Sequence, residues 1–438
     1  MNDTASSSAS TDVLLACMPF GPGVLQPSLG LSLLKAELRP LGVSSKVLYL
    51  GIEFARRIGL DLYQKVSMTE SSVEGFIGEW VFTGALFDGI EHDVQGYIDN
   101  VLCGKSDAFH DARYNFRPVE PSFIEKMLEV RREAEPFIEY CLGEVLRHRP
   151  KIVGFTSTFQ QQLASLALAR RIKQAAPETF IVIGGANCEG IMAAEVVRQF
   201  HFLDVAVSGE GDLVFPQLVE RVLAGQPFDE LAGVNTRRSC SRSLVNGLSY
   251  SDAPMVRDMD ALPYPDFDDF FEQFALANLR ILDVEPKLGV LFESSRGCWW
   301  GQKSHCTFCG LNPDTMLFRA KSAPRALDEV LRLHERYPDC AISVTDNILD
   351  MKYFKDFVPE LAARKINLEL FYEVKANLRK EQVQLLSEAG IRTIQPGIES
   401  FSDDVLGRMR KGVSALQNIQ LLKWCKEYSV RPRWNIIW

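Results

Sequence analysis

The chain has 438 residues, 46% of them hydrophobic and 24% charged, which fits a globular protein of two or three domains. Its net charge of −9 argues against broad binding of nucleic-acid phosphate, which needs clustered Lys and Arg. No apolar run reaches the roughly 18 residues that a membrane-crossing helix needs, so no membrane partner is expected. Residues 1–12, MNDTASSSASTD, lack the basic flank and apolar core of a signal peptide and read as a disordered tail. Ten cysteines with no repeating framework and no export signal point to a reducing cytoplasm. Cys17, Cys103, Cys141, Cys188, Cys240, Cys340 and Cys425 are scattered through apolar settings and read as small core residues.

The run VLLACMP, 13–19, is a short strand ending in the Pro/Gly loop PFGPG, and Leu31, Leu34, Leu38 and Leu41 then recur at helical spacing until Gly42. A second strand covers 45–50. Alternation resumes after an insertion at 53–149: strand 152–157, helix 163–175, strand 180–184, helix 192–200, strand 205–208, helix 213–224. This order predicts an α/β fold with a parallel, doubly wound, Rossmann-like sheet over 13–249, with ligands at the carboxyl ends of the strands. Those ends carry Gly21 and Gly23, then Thr156, Ser157 and Thr158. Further on they carry Gly184, Gly185, Ala186 and Asn187, and finally Ser208, Gly209, Glu210 and Gly211. Glycine there lets a bulky ligand approach the backbone, and the following helix N-termini can receive a phosphate. No G-x-G-x-x-G follows the first strand, so a dinucleotide has little support.

The insertion predicts helices near 74–87 and 123–147 that cover the sheet. Residues 233–249 read as a hairpin with its turn near 239–242. Residues 250–287 form a linker, and its acidic run 266–269 reads as solvated.

From 288 onward the period repeats: strand 289–293, helix 325–336, strand 341–345, helix 353–363, strand 368–372, helix 380–389, strand 392–397, one helix over 403–428, strand 430–438. This is a (β/α) barrel pattern, in which chemistry sits beyond the carboxyl ends of the strands. The polar clusters fall there: Asp346 and Asn347 after the second strand, Glu373 and Lys375 after the third, Glu399 and Ser400 after the fourth. After the first strand comes SRGCWWGQKSHCTFCGLN, which sets Cys298, Cys306 and Cys309 in a C-x7-C-x2-C pattern. Soft thiolates select zinc or an iron–sulfur cluster. Zinc would need a fourth ligand, which His305 could supply, whereas a three-cysteine [4Fe–4S] cluster leaves one iron open.

The cluster loop resembles that of radical S-adenosylmethionine (SAM) enzymes. Trp299, Trp300, the HCTFCGLN ending and the phrase GIESFSDDVLGRMRKG resemble the cobalamin-dependent members that mature ribosomally made peptides (RiPPs), many of them C-methyltransferases. The resemblance implies an N-terminal cobalamin-binding domain on the loops named above, followed by a partial radical SAM barrel over 288–438. None of the six histidines lies in a D-x-H-x-x-G pattern, so the resemblance implies cobalamin without a histidine ligand on cobalt. It also implies that Cys298, Cys306 and Cys309 hold the [4Fe–4S] cluster, and that Asp346 and Asn347 address the SAM amino group. Glu373 and Lys375 would address its ribose or carboxylate, Glu399 and Ser400 its ribose side, and Phe308 its adenine. A 5′-deoxyadenosyl radical and methylcobalamin would do the chemistry with no protein acid or base, on a precursor peptide, with a flavodoxin- or ferredoxin-type electron donor. Barrels of this kind usually have six strands, so the chain is expected to be truncated in strand five. The alternatives are a non-methylating cobalamin radical SAM enzyme and an inactive cofactor- or peptide-binding protein.

Overall fold

The computed structural model describes residues 10–21, 24–105, 118–241, 248–279, 288–311 and 316–437. The chain divides into two compact units: Met1–Val256 with Pro263–Val284, and Arg257–Leu262 with Glu285–Trp438.

The first unit is built on β1 (Val13–Cys17), β2 (Ser45–Tyr49), β3 (Ile152–Thr156), β4 (Phe180–Gly184), β5 (Val205–Val207) and β6 (Val234–Asn235). They form one six-stranded sheet in the order β2-β1-β3-β4-β5-β6. Neighbours run parallel except β6, which is antiparallel to β5. The apolar runs are buried, as strands covered on both faces require. Connections leave β1 toward β2 and β3 toward β4, in opposite directions across the sheet. Right-handed crossovers therefore place helix Leu29–Leu38 on one face and helix Gln162–Ala175 on the other. Insertion helices Ile77–Leu86 and Pro121–His148 pack against Gln162–Ala175. The interval between β1 and β3 is the switch point of a doubly wound sheet.

Two expectations fail in this unit. Residues Arg237–Ser241 are a helix, so no hairpin turns at 239–241; the rest of the expected turn lies outside the described residues. The acidic run 266–269 is not solvated linker. It leads into helix Asp268–Ala277, which covers the outer edge of β2. Asp269 Oδ2 accepts from Val47 N at 2.8 Å and from Lys35 Nζ at 2.7 Å, and Gln273 accepts from Tyr49 N at 2.9 Å. An unpaired strand edge invites foreign strands, and here side chains occupy it.

The second unit begins with β7 (Gly289–Phe292) and a small antiparallel pair, β8 (Ser295–Arg296) and β9 (Arg319–Ala320), which closes the base of the cysteine loop. It continues with β10 (Ala341–Val344), β11 (Leu370–Val374), β12 (Ile391–Pro396) and β13 (Arg431–Pro432). Sheet order is β7-β10-β11-β12-β13, all parallel, so each strand lies beside the next in sequence, with helices between. The fifth strand is two residues long, followed by an isolated bridge from Ile436 to Glu399. The single helix expected over 403–428 is two, Asp403–Arg408 and Ala415–Glu427. Arg410 and Gly412 take left-handed φ of 54° and 65° in the break between them. Inside this unit Lys321 Nζ and Glu329 Oε2 form an ion pair at 2.7 Å, both side chains 1% exposed. Arg325 also reaches Glu329.

Candidate functional site

The cysteine loop is held from several sides. Gly297 has φ 77°, and a Cβ there would lie 2.3 Å from Leu317 O, so only glycine lets the two limbs of the loop close. Cys298 N donates to Met316 O at 3.2 Å, and Cys298 Sγ accepts from Gly301 N at 3.3 Å. Trp299 Nε1 donates to Leu349 O at 3.0 Å, beyond β10. Trp300 Nε1 donates to Arg410 O at 3.1 Å, and Thr307 N to Met409 O at 3.2 Å, both in the helix break beyond β12. The paired tryptophans thus tie the loop to two separate strand ends. A Cβ on Gly412 would lie 2.1 Å from the Trp300 ring, which is why the break carries glycine there.

A cavity of about 280 Å³ opens at the carboxyl ends of β10 to β12, and Cys298, Cys306 and Cys309 all line it. Of the residues expected from sequence, Phe308, Asn347, Glu373, Lys375 and Glu399 line it too. Asp346 and Ser400 do not. The Asp346 carboxylate is 1% exposed and turned into the sheet end, accepting from Ser294 N at 2.8 Å, from Ser295 Oγ at 2.8 Å and from Ser294 Oγ. Its expected hold on an amino group is therefore corrected to a role in fixing the turn after β7. Burial, only partly offset by these donors, pushes its pKa up to about 7. Ser400 is buried, accepting at Oγ from Ser402 N at 3.2 Å and at O from Asn418 Nδ2 at 2.8 Å.

Lys411 went unnoticed in the sequence, and it is central. It leaves the helix break to meet Glu399 Oε1 at 2.8 Å and lies 5.2 Å from the centre of the Phe308 ring. Lys375 Nζ sits 3.7 Å from the centre of the Trp300 ring and donates to Lys411 O. Two ammonium groups therefore rest on aromatic faces of the cysteine loop. Gln395 and Trp300 also line the cavity without having been singled out for it. The only hint of Lys411 was the glycine at the end of the RMRKG run.

Burial pushes Glu373 up to about 7, opposed by Lys411 and reinforced by Asp346 and Glu399. Burial and then Lys411 pull Lys375 down to about 8. Burial also raises Cys306, with Lys411 opposing. A carboxyl group raised on folding holds its proton in the folded state at pH values where the unfolded chain has released it. Stability from Glu373 therefore falls as pH rises from its ordinary 4.5 toward about 7, and the loss is complete above that. A Glu373→Gln variant is expected to show a shallower decline of melting temperature between those two pH values than the parent chain. Parallel declines would remove Glu373 as the cause.

Among the described residues, no trio of His, Cys, Asp or Glu is arranged to hold a metal ion, although three thiols share one cavity. The two facts agree if the thiols surround a cluster. A single zinc draws its four donors to about 2.0–2.3 Å from one point, whereas a cubane spreads three thiolates over three irons. His305 Nε2 is buried without a hydrogen-bond partner, and His305 is not among the lining residues. An all-sulfur donor set around a roomy cavity fits a [4Fe–4S] cluster better than the zinc alternative.

In the first unit the strand-end loops bind one another. Gly23 lies outside the described residues. A Cβ on Gly21 would lie 2.6 Å from Gln161 Nε2, on Gly185 2.7 Å from Ser157 O, and on Gly209 3.2 Å from Ala253 N. These glycines admit the chain's own neighbours, which corrects the expectation that their missing side chains make room for a ligand. A Cβ on Gly211 would lie 3.4 Å from Leu34, an ordinary packing contact. Thr156 ends β3, level with Cys17 and Gly184, while Ala186 is exposed. Ser157 Oγ bonds Gln162 and accepts from Asn187 Nδ2 at 3.0 Å, and Thr158 N donates to Gln161 Oε1 at 3.1 Å. Glu210 Oε2 accepts from Val256 N at 2.7 Å. Glu79 from the insertion caps helix Gln162–Ala175, accepting from Gln162 N at 2.9 Å and Leu163 N at 2.7 Å. That helix N-terminus already holds a carboxylate, so the expected phosphate finds no place there. Phe159, Met192 and Leu213, beyond the ends of β3, β4 and β5, are exposed.

Residues 292–438 match the profile of the Radical SAM superfamily. An uncharacterized methyltransferase of Pyrococcus horikoshii is 25% identical over 297 residues, 66% of this chain and 60% of its own length. The hopanoid C-3 methylase of Methylococcus capsulatus is 23% identical over 341 residues, 74% of this chain and 61% of its own length. The chain therefore spans about 60% of the length of these curated relatives. In solved structures the fold is similar to that of the cobalamin-dependent S-adenosylmethionine radical enzyme OxsB, with aqua-cobalamin and S-adenosylmethionine bound. The TM-score is 0.64 at 15% identity, covering 98% of this chain and 49% of that one. It is also similar to the radical S-adenosylmethionine methyltransferase TsrM of Kitasatospora setae with cobalamin and a [4Fe–4S] cluster bound. There the TM-score is 0.57 at 16% identity, covering 98% of this chain and 66% of that one.

Proposed function

We propose that this chain carries the cofactor-binding machinery of a cobalamin-dependent radical SAM methyltransferase. The single observation that carries the reading is the convergence of Cys298, Cys306 and Cys309 on one cavity with Asn347, Glu373, Lys375, Glu399 and Lys411. When bound, the cluster supplies the electron that cleaves SAM and cobalamin carries the methyl group. The chain's own residues bind and orient. The three thiolates fix the cluster, and Phe308 and Trp300 form aromatic walls. Glu373, Lys375 and the Glu399–Lys411 pair offer charge to the amino, carboxylate and ribose groups of SAM. Asp346 acts behind them by holding Ser294 and Ser295.

The methyl acceptor in this reading is a ribosomally made precursor peptide, methylated at an unactivated carbon. Support for the peptide is the wording of the HCTFCGLN and GIESFSDDVLGRMRKG segments. The electron comes from a flavodoxin- or ferredoxin-type donor in the cytoplasm, in keeping with the free thiols. The test is anaerobic turnover of the reconstituted chain with SAM, cobalamin, reductant and a precursor-peptide library. A mass gain of one methyl group, with 5′-deoxyadenosine, supports the reading. Deoxyadenosine with an unmethylated, rearranged peptide would favour the non-methylating alternative.

A further inference from the structure

Glu399 reaches the cavity from an unusual backbone. It follows β12 with a left-handed φ of 57°, a region that residues other than glycine enter only when their surroundings hold them there. Ser400 N donates to Ile398 O at 2.7 Å, so the chain turns within three residues with Glu399 in the middle. The flanking Ile398 and Ser400 are buried, while Glu399 lines the cavity. Gly397 leaves room for its partner: a Cβ there would lie 2.4 Å from Lys411 Nζ.

The hold on this turn comes from outside the cavity. Asn418, in helix Ala415–Glu427, is fully buried and is not among the lining residues. Its Nδ2 donates to Ile398 O at 2.9 Å and to Ser400 O at 2.8 Å, the carbonyls on either side of Glu399. From the other side, Ile437 N donates to Glu399 O at 2.9 Å. Asn418 Oδ1 is buried with no hydrogen-bond partner. Both partners of Nδ2 are acceptors, so turning the amide over would not satisfy that oxygen. A buried orphan carbonyl costs stability, and an apolar side chain of similar size would avoid the cost. The amide is explained by what its two donors hold.

Resting on the function proposed above, we propose that Asn418 is a positioning residue for SAM. It clamps the turn in its left-handed form and so delivers the Glu399 carboxylate to the cavity, where Lys411 meets it at 2.8 Å. Without the clamp the turn relaxes toward the backbone conformations open to any residue, and the carboxylate no longer faces the SAM groups that Glu399 addresses.

The test is a double-mutant cycle on SAM affinity, measured by equilibrium dialysis of the chain reconstituted with its cluster. Asn418→Leu is expected to weaken SAM about tenfold, the worth of one charge-assisted hydrogen bond, and Glu399→Gln by at least as much. The double variant should bind no more weakly than Glu399→Gln alone, because Asn418 acts only through that carboxylate. Parent affinity in Asn418→Leu, or losses that multiply in the double variant, would overturn the proposal. Melting curves without any cofactor give a second readout. Glycine takes a left-handed φ without strain, so Asn418→Leu should lower the melting temperature of a Glu399→Gly chain by less than it lowers that of the parent. Where Asn418→Leu alone does not fold, Glu399→Gly should restore folding. An equal loss in both backgrounds, or no restoration, would overturn the clamp. A parent chain that takes up its cluster but not SAM overturns instead the function on which the proposal rests, and the melting comparison still decides the clamp.

Discussion

Alanine at any one of Cys298, Cys306 and Cys309 is expected to reduce SAM cleavage below detection, with iron and sulfide lost in parallel. Each thiolate would hold a different iron of a bound cluster, so two could not do the work of three. The loop itself should survive the change. Its shape rests mainly on Trp299 to Leu349 O, Trp300 to Arg410 O and Thr307 to Met409 O, and the thiol bond from Gly301 N to Cys298 Sγ is lost only in the Cys298 variant. Cys340→Ala is the control, since Cys340 lies outside the cavity, and it should retain iron and activity. Measured by iron and sulfide content and by chromatography of 5′-deoxyadenosine, cleavage retained in a cysteine variant would remove that residue as a ligand.

Glu329→Gln is expected to cost the second unit roughly 3–5 kcal/mol of stability, the range for breaking a buried pair. The cost comes from the partner left behind. Lys321 Nζ is as buried as Glu329, and without the carboxylate it lies over the Phe292 ring with its charge uncompensated. The double variant Lys321→Met with Glu329→Gln should therefore be more stable than Glu329→Gln alone, because it removes the stranded charge. Urea unfolding checks both. A Glu329→Gln chain within about 0.5 kcal/mol of the parent would show that the pair is not buried in solution.

Much of the fold was legible because periodicity survives in short segments. β1 to β5 and helices Gln162–Ala175, Ile191–Gln199 and Gly211–Leu223 follow apolar runs and helical spacing, and their bounds shift by a residue or two, whereas helices Leu50–Ile58 and Leu60–Met68 went unread. The three cysteines were legible because thiols at that spacing on one loop have few other uses. What failed depended on direction or distance. Asp346 and Asn347 both follow β10, yet Asp346 is buried against Ser294 and Ser295 while Asn347 lines the cavity, and a motif alone does not say which neighbour faces it. Asp269 looked solvated in an acidic run, yet its partners Lys35 and Val47 lie more than 200 residues away, at the outer edge of β2. Lys411 was hidden inside what read as one helix. Only left-handed Arg410 and Gly412, with the Trp300 ring packed against the latter, turn its ammonium toward Glu399.

The proposed function requires one chain to hold both a [4Fe–4S] cluster and cobalamin. It is tested most directly by anaerobic reconstitution followed by iron, sulfide and cobalamin analysis with a visible spectrum. About four irons and four sulfides per chain, lost in the cysteine variants, together with bound cobalamin, is the predicted result. Zinc at the cysteines, or a folded chain that takes up neither cofactor, would contradict it.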